Sequence, residues 1–432
     1  MNEELELRRK EWLEKYRKVF GPPLPELPPL REINHTILLI NPDARYSSQT
    51  PKCAAALFPL LKEKTQQYIK AGWWKPAHGR NAIPLLAIPK AGAELKLRTV
   101  IDARERNANT VLDTMPLPNQ DMIRESVASH KYVSVIDMTD AYEQMRIIPE
   151  DVPKTLFASP LGTFVSNVLQ QGDCNGPSSW QRLMTFVFRE RIGEQVWVYL
   201  DDIYIFTSTI EQHEDSLKYV LDCLKQEHLY ISPAKFKPYA IRFNCLGHYR
   251  DENGLHASAD KLESIRKWPT PGTYHDVQRF LGLVEYISRF LPNVSAYTML
   301  SGMCSNGLPF IWRTIHDKCF EQIKATASKK LVLRPIERSA AEPVWVVSDA
   351  CPSGCGAYYR QGEDWKTMKP AGFMSKKYTD AQRSYFTYEH ETLGVIEALK
   401  KWEDVLLGLP EIWIVTDHEA LKTFMQKTHA GP

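Results

Sequence analysis

Apolar and polar positions repeat with two different periods along this chain. In "GPSSWQRLMTFVFRERI" the apolar residues Trp180, Leu183, Met184, Val187, Phe188 and Ile192 fall at i, i+3, i+4, i+7, i+8 and i+12, which predicts one buried helix face. Helices are also expected over residues 52–71, stopping before Gly72, and after Thr209. There Thr209 and Gln212 form a capping-box pattern ahead of Leu217, Val220, Leu221 and Leu224. Dense β-branched and aromatic runs predict strands: "YVSVIDM" at 132–138 ends in an aspartate, and "VWVYLDDIYIF" spans 196–206. The second run is two half-strands around Asp201 and Asp202, so a hairpin bent at the acidic pair is expected. The order β–α–β–β–α between residues 36 and 250 describes an α+β core.

Outside that core the pattern changes. Residues 1–20 predict a short amphipathic helix with Leu5, Trp12, Leu13, Tyr16 and Phe20 apolar. It stops at "GPPLPELPPL" (21–30), where proline blocks helix and sheet alike and a stiff linker is expected. Residues 255–300 read as mostly helical, broken by "WPTPGT" at 268–273. From residue 343 a new alternation begins: strand "PVWVVSDA", turn "CPSG", strand "CGAYY", helix "EHETLGVIEALKKW" and strand "EIWIVTD". The expected segments are therefore 1–35 (helix and linker), 36–250, 251–335 and 336–432.

Composition adds limits. Hydrophobic content of 43% and charged content of 25% over 432 residues are those of an ordinary globular chain with room for several cores. A net charge of +2 neither requires nor excludes a polyanionic partner. The eight cysteines are scattered without zinc-ligand spacing, so reduced thiols in an intracellular protein are expected. The N-terminus is densely charged and no 18-residue apolar run exists, so neither a signal peptide nor a membrane span is expected.

Two adjacent aspartates inside an apolar run need an explanation. Two ionised carboxylates a few ångströms apart repel by about 4 kcal/mol at an effective dielectric near 20. A bare Asp-Asp pair is ordinarily a surface turn. Here Tyr199, Leu200, Ile203 and Tyr204 flank the pair, and the strand-ending Asp137 lies upstream. If the two strands are neighbours, three carboxylates converge, and Mg²⁺ reverses the sign of their interaction. Two such ions can hold the attacking and leaving oxygens of a phosphoryl displacement. A second acidic set follows the same logic. Asp349 and Asp417 close strands, and Glu391 shares an inward helix face with Val395, Ala398 and Trp402, whereas Glu389 points towards solvent.

"YLDD" at 199–202, preceded by "SVIDMTDAY" at 134–142 and "LQQGDCNGPSSWQRLM" at 169–184, resembles the palm of reverse transcriptases in order and spacing. "LRTVIDARERN" at 97–107 and "CLGHYRDENGL" at 245–255 resemble the flanking fingers strand and primer grip. The overall pattern is similar to the polyproteins of gypsy-type LTR retrotransposons. The resemblance implies a polymerase right hand of fingers, palm and thumb. Asp137, Asp201 and Asp202 would be its metal-binding catalytic acids for two Mg²⁺, with Asp202 in a supporting part. Arg98 would clamp the triphosphate, and Gln171 and Gly172 would form the floor under template and nucleotide. Tyr142, five residues after Asp137, would lie under the sugar and leave no room for a 2′-hydroxyl, which favours DNA synthesis. The glutamine in "QQGD" and the "SSWQ" stretch depart from many gypsy-type sequences, so altered detail without loss of activity is expected.

The tail, "SDA", "AQRSYFTYEHETLGVIEALKKW" and "VTDHEAL", resembles the ribonuclease H domain that follows such polymerases. Asp349, Glu391 and Asp417 would then be catalytic acids for two further Mg²⁺ ions. That fold needs a fourth carboxylate on a later segment, so the expectation is an α/β ribonuclease H-like domain truncated at its C-terminus and of doubtful activity. The implied partners are an RNA template, an RNA–DNA hybrid, a DNA primer and dNTPs, with no membrane. Neither a protease nor an integrase pattern is visible. Lys261, Arg266, Lys267, Arg279 and Arg289, interleaved with Trp268, Phe280, Tyr286 and Phe290, would line a thumb that tracks the phosphate backbone. The implied location is intracellular, in a cytoplasmic particle or the nucleus. Two alternatives stand beside this reading. One is a catalytically inactive nucleic-acid-binding relic of a retroelement. The other is an RNA-dependent RNA polymerase, against which Tyr142 and the ribonuclease H-like tail argue.

Overall fold

A computed structural model describes residues 2–46, 51–90, 95–291, 299–302, 310–329, 332–338 and 340–417. The chain divides into two compact units, residues 1–123 with 131–240, and residues 124–130 with 241–432.

The first unit contains two sheets. Tyr132–Asp137, Asp202–Thr207 and Val196–Tyr199 form a three-stranded antiparallel sheet in that order. It buries its apolar face under the helices Gly176–Val187 and Ile210–Gln226, and Trp180, Leu183, Met184, Leu217, Val220, Leu221 and Leu224 all lie in that core. The Thr209 hydroxyl accepts the Gln212 amide and starts the second helix, as its sequence predicts. The other sheet has five strands in the order Trp74–Pro76, Gly162–Ser166, Phe157–Ser159, Ile83–Lys90 and Lys96–Ile101. The helix Phe58–Lys70 packs on it through Leu61 and ends at Gly72, whose φ is +73°.

The proline-rich stretch is not a free linker. After the helix Asn2–Lys15, Tyr16 and Val19 enter the core of the three-stranded sheet, and Phe20 bridges Ile231. Leu27 packs against Ala71, Trp73 and Val168, and the Glu26 carbonyl accepts the Trp73 indole N–H at 2.7 Å. Proline forbids regular structure here without forbidding contact, so the segment lies along the unit as a largely exposed strap.

The second unit contains two four-stranded sheets. One has the order Val332–Leu333, Gly254–His256, His248–Asp251 and Phe243–Cys245, beside the helices Ala259–Arg266, Tyr274–Glu285 and Thr314–Ala327. Phe280, Phe290 and Phe320 are fully buried among these helices. Three of the expected thumb cations form ion pairs within the protein. Arg266 and Lys267 pair with Glu263, and Arg289 pairs with Glu125. The other sheet has the order Gly372–Lys377, Gly354–Gln361, Val344–Cys351 and Ile412–Val415, with the helix Thr387–Lys401 packed on it. The strand Gly372–Lys377 went unread in sequence because "GFMSKK" is half exposed and has no alternation. Among the described residues no helix is long and apolar enough to cross a membrane.

Candidate functional site

The antiparallel register places Asp137 directly opposite Asp202. The bend falls one residue earlier than the sequence suggests: Leu200 and Asp201 make the turn, and Asp202 already begins the returning strand. Leu200 adopts a left-handed backbone at φ +53°, uncommon for a branched side chain. Two side chains of the neighbouring helix hold it there. Trp180 Nε1 donates to the Leu200 carbonyl at 3.1 Å, and Gln181 accepts the Leu200 amide at 2.9 Å while donating to the Val198 carbonyl at 3.0 Å. The "SSWQ" stretch, a departure in sequence, is therefore the clamp on the acidic turn.

The acids are electrostatically crowded. Burial, then the charges of Asp137 and Asp201, push the Asp202 carboxyl up to about 6, against the Tyr204 hydroxyl and Lys235. Asp201 is raised by the surrounding protein and then by Asp137. Lys235 answers this crowding: its ammonium lies 2.8 and 2.9 Å from the two oxygens of Asp137. Carboxylates are the donor type that a hard divalent ion takes. Among the described residues these three acids do not gather to within 4.8 Å of one another. Lys235 holds Asp137, and Asp201 sits on the turn.

The residues expected to surround a nucleotide lie in the same unit. Arg98, on Lys96–Ile101, donates from Nε to the Gln171 side chain at 2.8 Å. The Gln171 carbonyl accepts the Ile101 amide at 2.8 Å, which ties the floor loop to the five-stranded sheet. Gly172 has φ +113°, and a Cβ there would sit 2.2 Å from the Ile101 carbonyl oxygen, so no other residue fits. Tyr142 lies on a short 3₁₀ turn at Ala141–Gln144 and packs beside the core. Its hydroxyl is pushed up to about 12 by burial and by the charges of Asp201 and Asp173, with Arg98 opposing. Tyr142, Asp201 and Arg98 are thus close enough to influence one another electrostatically.

A buried network under the floor loop went unseen in sequence. Asp173 accepts Arg106 Nη2 at 3.0 Å and the Asn175 amide at 3.1 Å, and His35 Nε2 lies 3.3 Å from it. No local pattern marks Arg106 and Asp173 as partners, because they are 67 residues apart. Lys235, in "SPAKFKPY", likewise carries no local signal.

In the second unit Asp349, Glu391 and Asp417 have ligand oxygens within 4.8 Å of one another. The parallel register Val347↔Val415, carried two residues further, brings Asp349 beside Asp417. Glu391 reaches them from the helix and is 3% exposed. Burial, then Asp417 and Asp349, raise its carboxyl to about 7, and its Oε2 is buried without a hydrogen-bond partner. Three acids with one unsatisfied buried oxygen fit a divalent cation. Glu389, expected to be solvated, is partly exposed and also accepts the Phe386 amide at 2.8 Å, capping the helix.

Comparison with known proteins identifies two domains. Residues 88–250 match "Reverse transcriptase (RNA-dependent DNA polymerase)", and residues 339–431 match "RNase H-like domain found in reverse transcriptase". The chain thus carries a reverse transcriptase domain followed by a ribonuclease H-like domain. The retrovirus-related Pol polyproteins from transposons opus and gypsy of Drosophila melanogaster are 24% and 26% identical to it over 95% and 94% of its length. It spans 42% and 40% of those relatives. A solved foamy viral protease-reverse transcriptase in complex with double-stranded DNA shares the fold, with a TM-score of 0.81 at 22% identity over 98% of this chain and 74% of that one. The acidic turn thus lies in the reverse transcriptase domain, and the Asp349–Glu391–Asp417 set lies in the ribonuclease H-like domain.

Proposed function

We propose that this reverse transcriptase is an RNA- and DNA-templated DNA polymerase of an LTR retrotransposon, adding deoxynucleotides to a primer 3′-hydroxyl. The observation that carries the proposal is the hairpin that sets Asp137 opposite Asp202, with Asp201 on its clamped turn and a cation already drawn to Asp137. Asp137, Asp201 and Asp202 would hold two Mg²⁺ ions, which supply charge neutralisation for phosphoryl transfer and a lowered pKa for the primer hydroxyl. The chain's own residues do the positioning. Arg98 offers a guanidinium to the triphosphate, Gln171 and Gly172 give the floor, and Tyr142 occupies the volume a 2′-hydroxyl would need. Substrates of this proposal are an RNA or DNA template, a DNA primer, the RNA–DNA hybrid and dNTPs. Double-stranded nucleic acid as a partner is supported by the foamy viral complex of the same fold. In the ribonuclease H-like domain, Asp349, Glu391 and Asp417 would hold divalent ions for cleavage of the RNA strand of a hybrid. The polyprotein relatives support an intracellular setting, in a cytoplasmic particle or the nucleus.

Primer extension on an RNA template with Mg²⁺, parent against Asp201→Asn, tests the reading. Extension with dNTPs that the substitution abolishes is expected. Extension unaffected by the substitution, or a preference for ribonucleotides, would refute it.

A further inference from the structure

The turn between Phe243–Cys245 and His248–Asp251 consists of two residues, Leu246 and Gly247, both with left-handed backbones at φ +46° and +81°. This conformation disfavours Leu246 intrinsically, so something outside the turn must impose it. The Leu246 carbonyl receives two donors. One is Tyr286 Oη at 2.9 Å, from the residue that follows the helix Tyr274–Glu285, and the other is Arg124 Nη2 at 2.8 Å. The Arg124 guanidinium also lies 6.0 Å from the centre of the Tyr286 ring, and Lys261 Nζ lies 5.3 Å from it. Gly247 is packed against the same hydroxyl so closely that a Cβ would overlap it, with the Tyr286 ring carbon bearing the hydroxyl only 2.8 Å away.

Resting on the reading above, in which residues 245–255 resemble the primer grip, we propose that Tyr286 is a positioning residue for the polymerase reaction. Its hydroxyl fixes the Leu246–Gly247 turn and thereby the alignment of the primer terminus. The hydroxyl's hydrogen bond goes to backbone, so it acts through the turn and not on the nucleotide. Arg124 shares the carbonyl and steadies the ring, which leaves the fold intact when the hydroxyl alone is removed. Two facts make the hydroxyl specific to this task. It ends on the one non-glycine carbonyl of a strained turn, and the adjoining position admits no side chain while the hydroxyl is there.

The test is Tyr286→Phe in the full chain, read by single-turnover addition of one dNTP to a primer–template. The expected result is a maximal rate about fivefold lower, the equivalent of one neutral hydrogen bond, with unchanged burst amplitude and a melting temperature lowered by no more than about 2–4 °C. Gly247→Ala should be slower still. Combining it with Tyr286→Phe should cost less than the product of the two, because the clashing oxygen is gone. Hydrogen exchange at residues 246–248 gives a readout independent of activity, and faster exchange in Tyr286→Phe is expected. A rate equal to the parent's, a loss confined to burst amplitude, multiplicative effects in the double variant, or unchanged exchange would each overturn the inference. A parent that extends no primer would instead sink the polymerase reading and leave the exchange arm to judge the staple.

Discussion

Arg106→Leu should unfold the first unit far more readily than any surface change would. Arg106 and Asp173 are 1% and 7% exposed, and their contact at 3.0 Å is an ion pair buried beneath the loop that carries Gln171 and Gly172. Burial alone would raise the Asp173 carboxyl, but His35, the Arg106 charge and the Asn175 amide outweigh it and hold the carboxyl below its ordinary value. Asp173 therefore stays ionised, and removing Arg106 strands that charge. Breaking a buried pair from one side costs about 3–5 kcal/mol. At about 2–4 °C per kcal/mol for a unit of this size, melting should drop by roughly 6–20 °C. Arg106→Leu combined with Asp173→Leu removes both charges and refills the volume. The double variant still loses the acceptor of the Asn175 amide and the partner of His35, each worth about 1 kcal/mol. It should nonetheless be more stable than Arg106→Leu alone. Thermal unfolding followed by circular dichroism, with hydrogen exchange to localise the change to residues 102–110 and 170–176, measures this. A loss below about 1 kcal/mol in Arg106→Leu, or a double variant no more stable than that single one, would show that the pair does not carry the loop.

Gly172→Ala meets the Ile101 carbonyl at 2.2 Å in a backbone conformation that alanine avoids, so kcat/KM for dNTP should fall by roughly 10–100-fold, a test for steady-state kinetics. His213 is buried between Ser134 and Thr207 hydroxyls, and burial lowers its pKa to about 4. The unfolded chain takes up a proton near pH 6.5 and the folded one only near 4, so up to about 3 kcal/mol of stability should be lost as pH falls through that window. His213→Asn should flatten this slope in pH-dependent melting, and an unchanged slope would refute the assignment. Glu391→Gln should weaken Mn²⁺ binding to the ribonuclease H-like domain by at least tenfold in calorimetry, because it removes one of three charges around the ion. Unaltered binding would place the ion elsewhere.

The elements that lie close in sequence were legible because local pattern fixes them. The helix face from Trp180 to Phe188, the Thr209 cap and the strand ending at Asp137 all follow from spacing that any neighbouring structure must respect. The acids stood out as candidates for a related reason: an ionised pair inside an apolar run demands a partner, and the order of motifs pointed to the reverse transcriptase domain. What spacing cannot supply is a contact between residues far apart in the chain. Trp180 and Gln181 looked like a departure from the family until the fold set them on Leu200. The proline strap reads as a linker because proline forbids helix and sheet, whereas its docking rests on the Trp73 indole donating to the Glu26 carbonyl and on Leu27 packing beside it. Arg106 and Asp173, Lys235 and Asp137, and Tyr286 and Leu246 are each tied by charge or hydrogen bond across at least 40 residues. Local sequence determined the strongly patterned helices and strands and marked the acids proposed to carry the chemistry. Only the tertiary structure decided which cation sits on Asp137 and which side chains hold the two strained turns, because burial turns ordinary polar residues into obligatory partners.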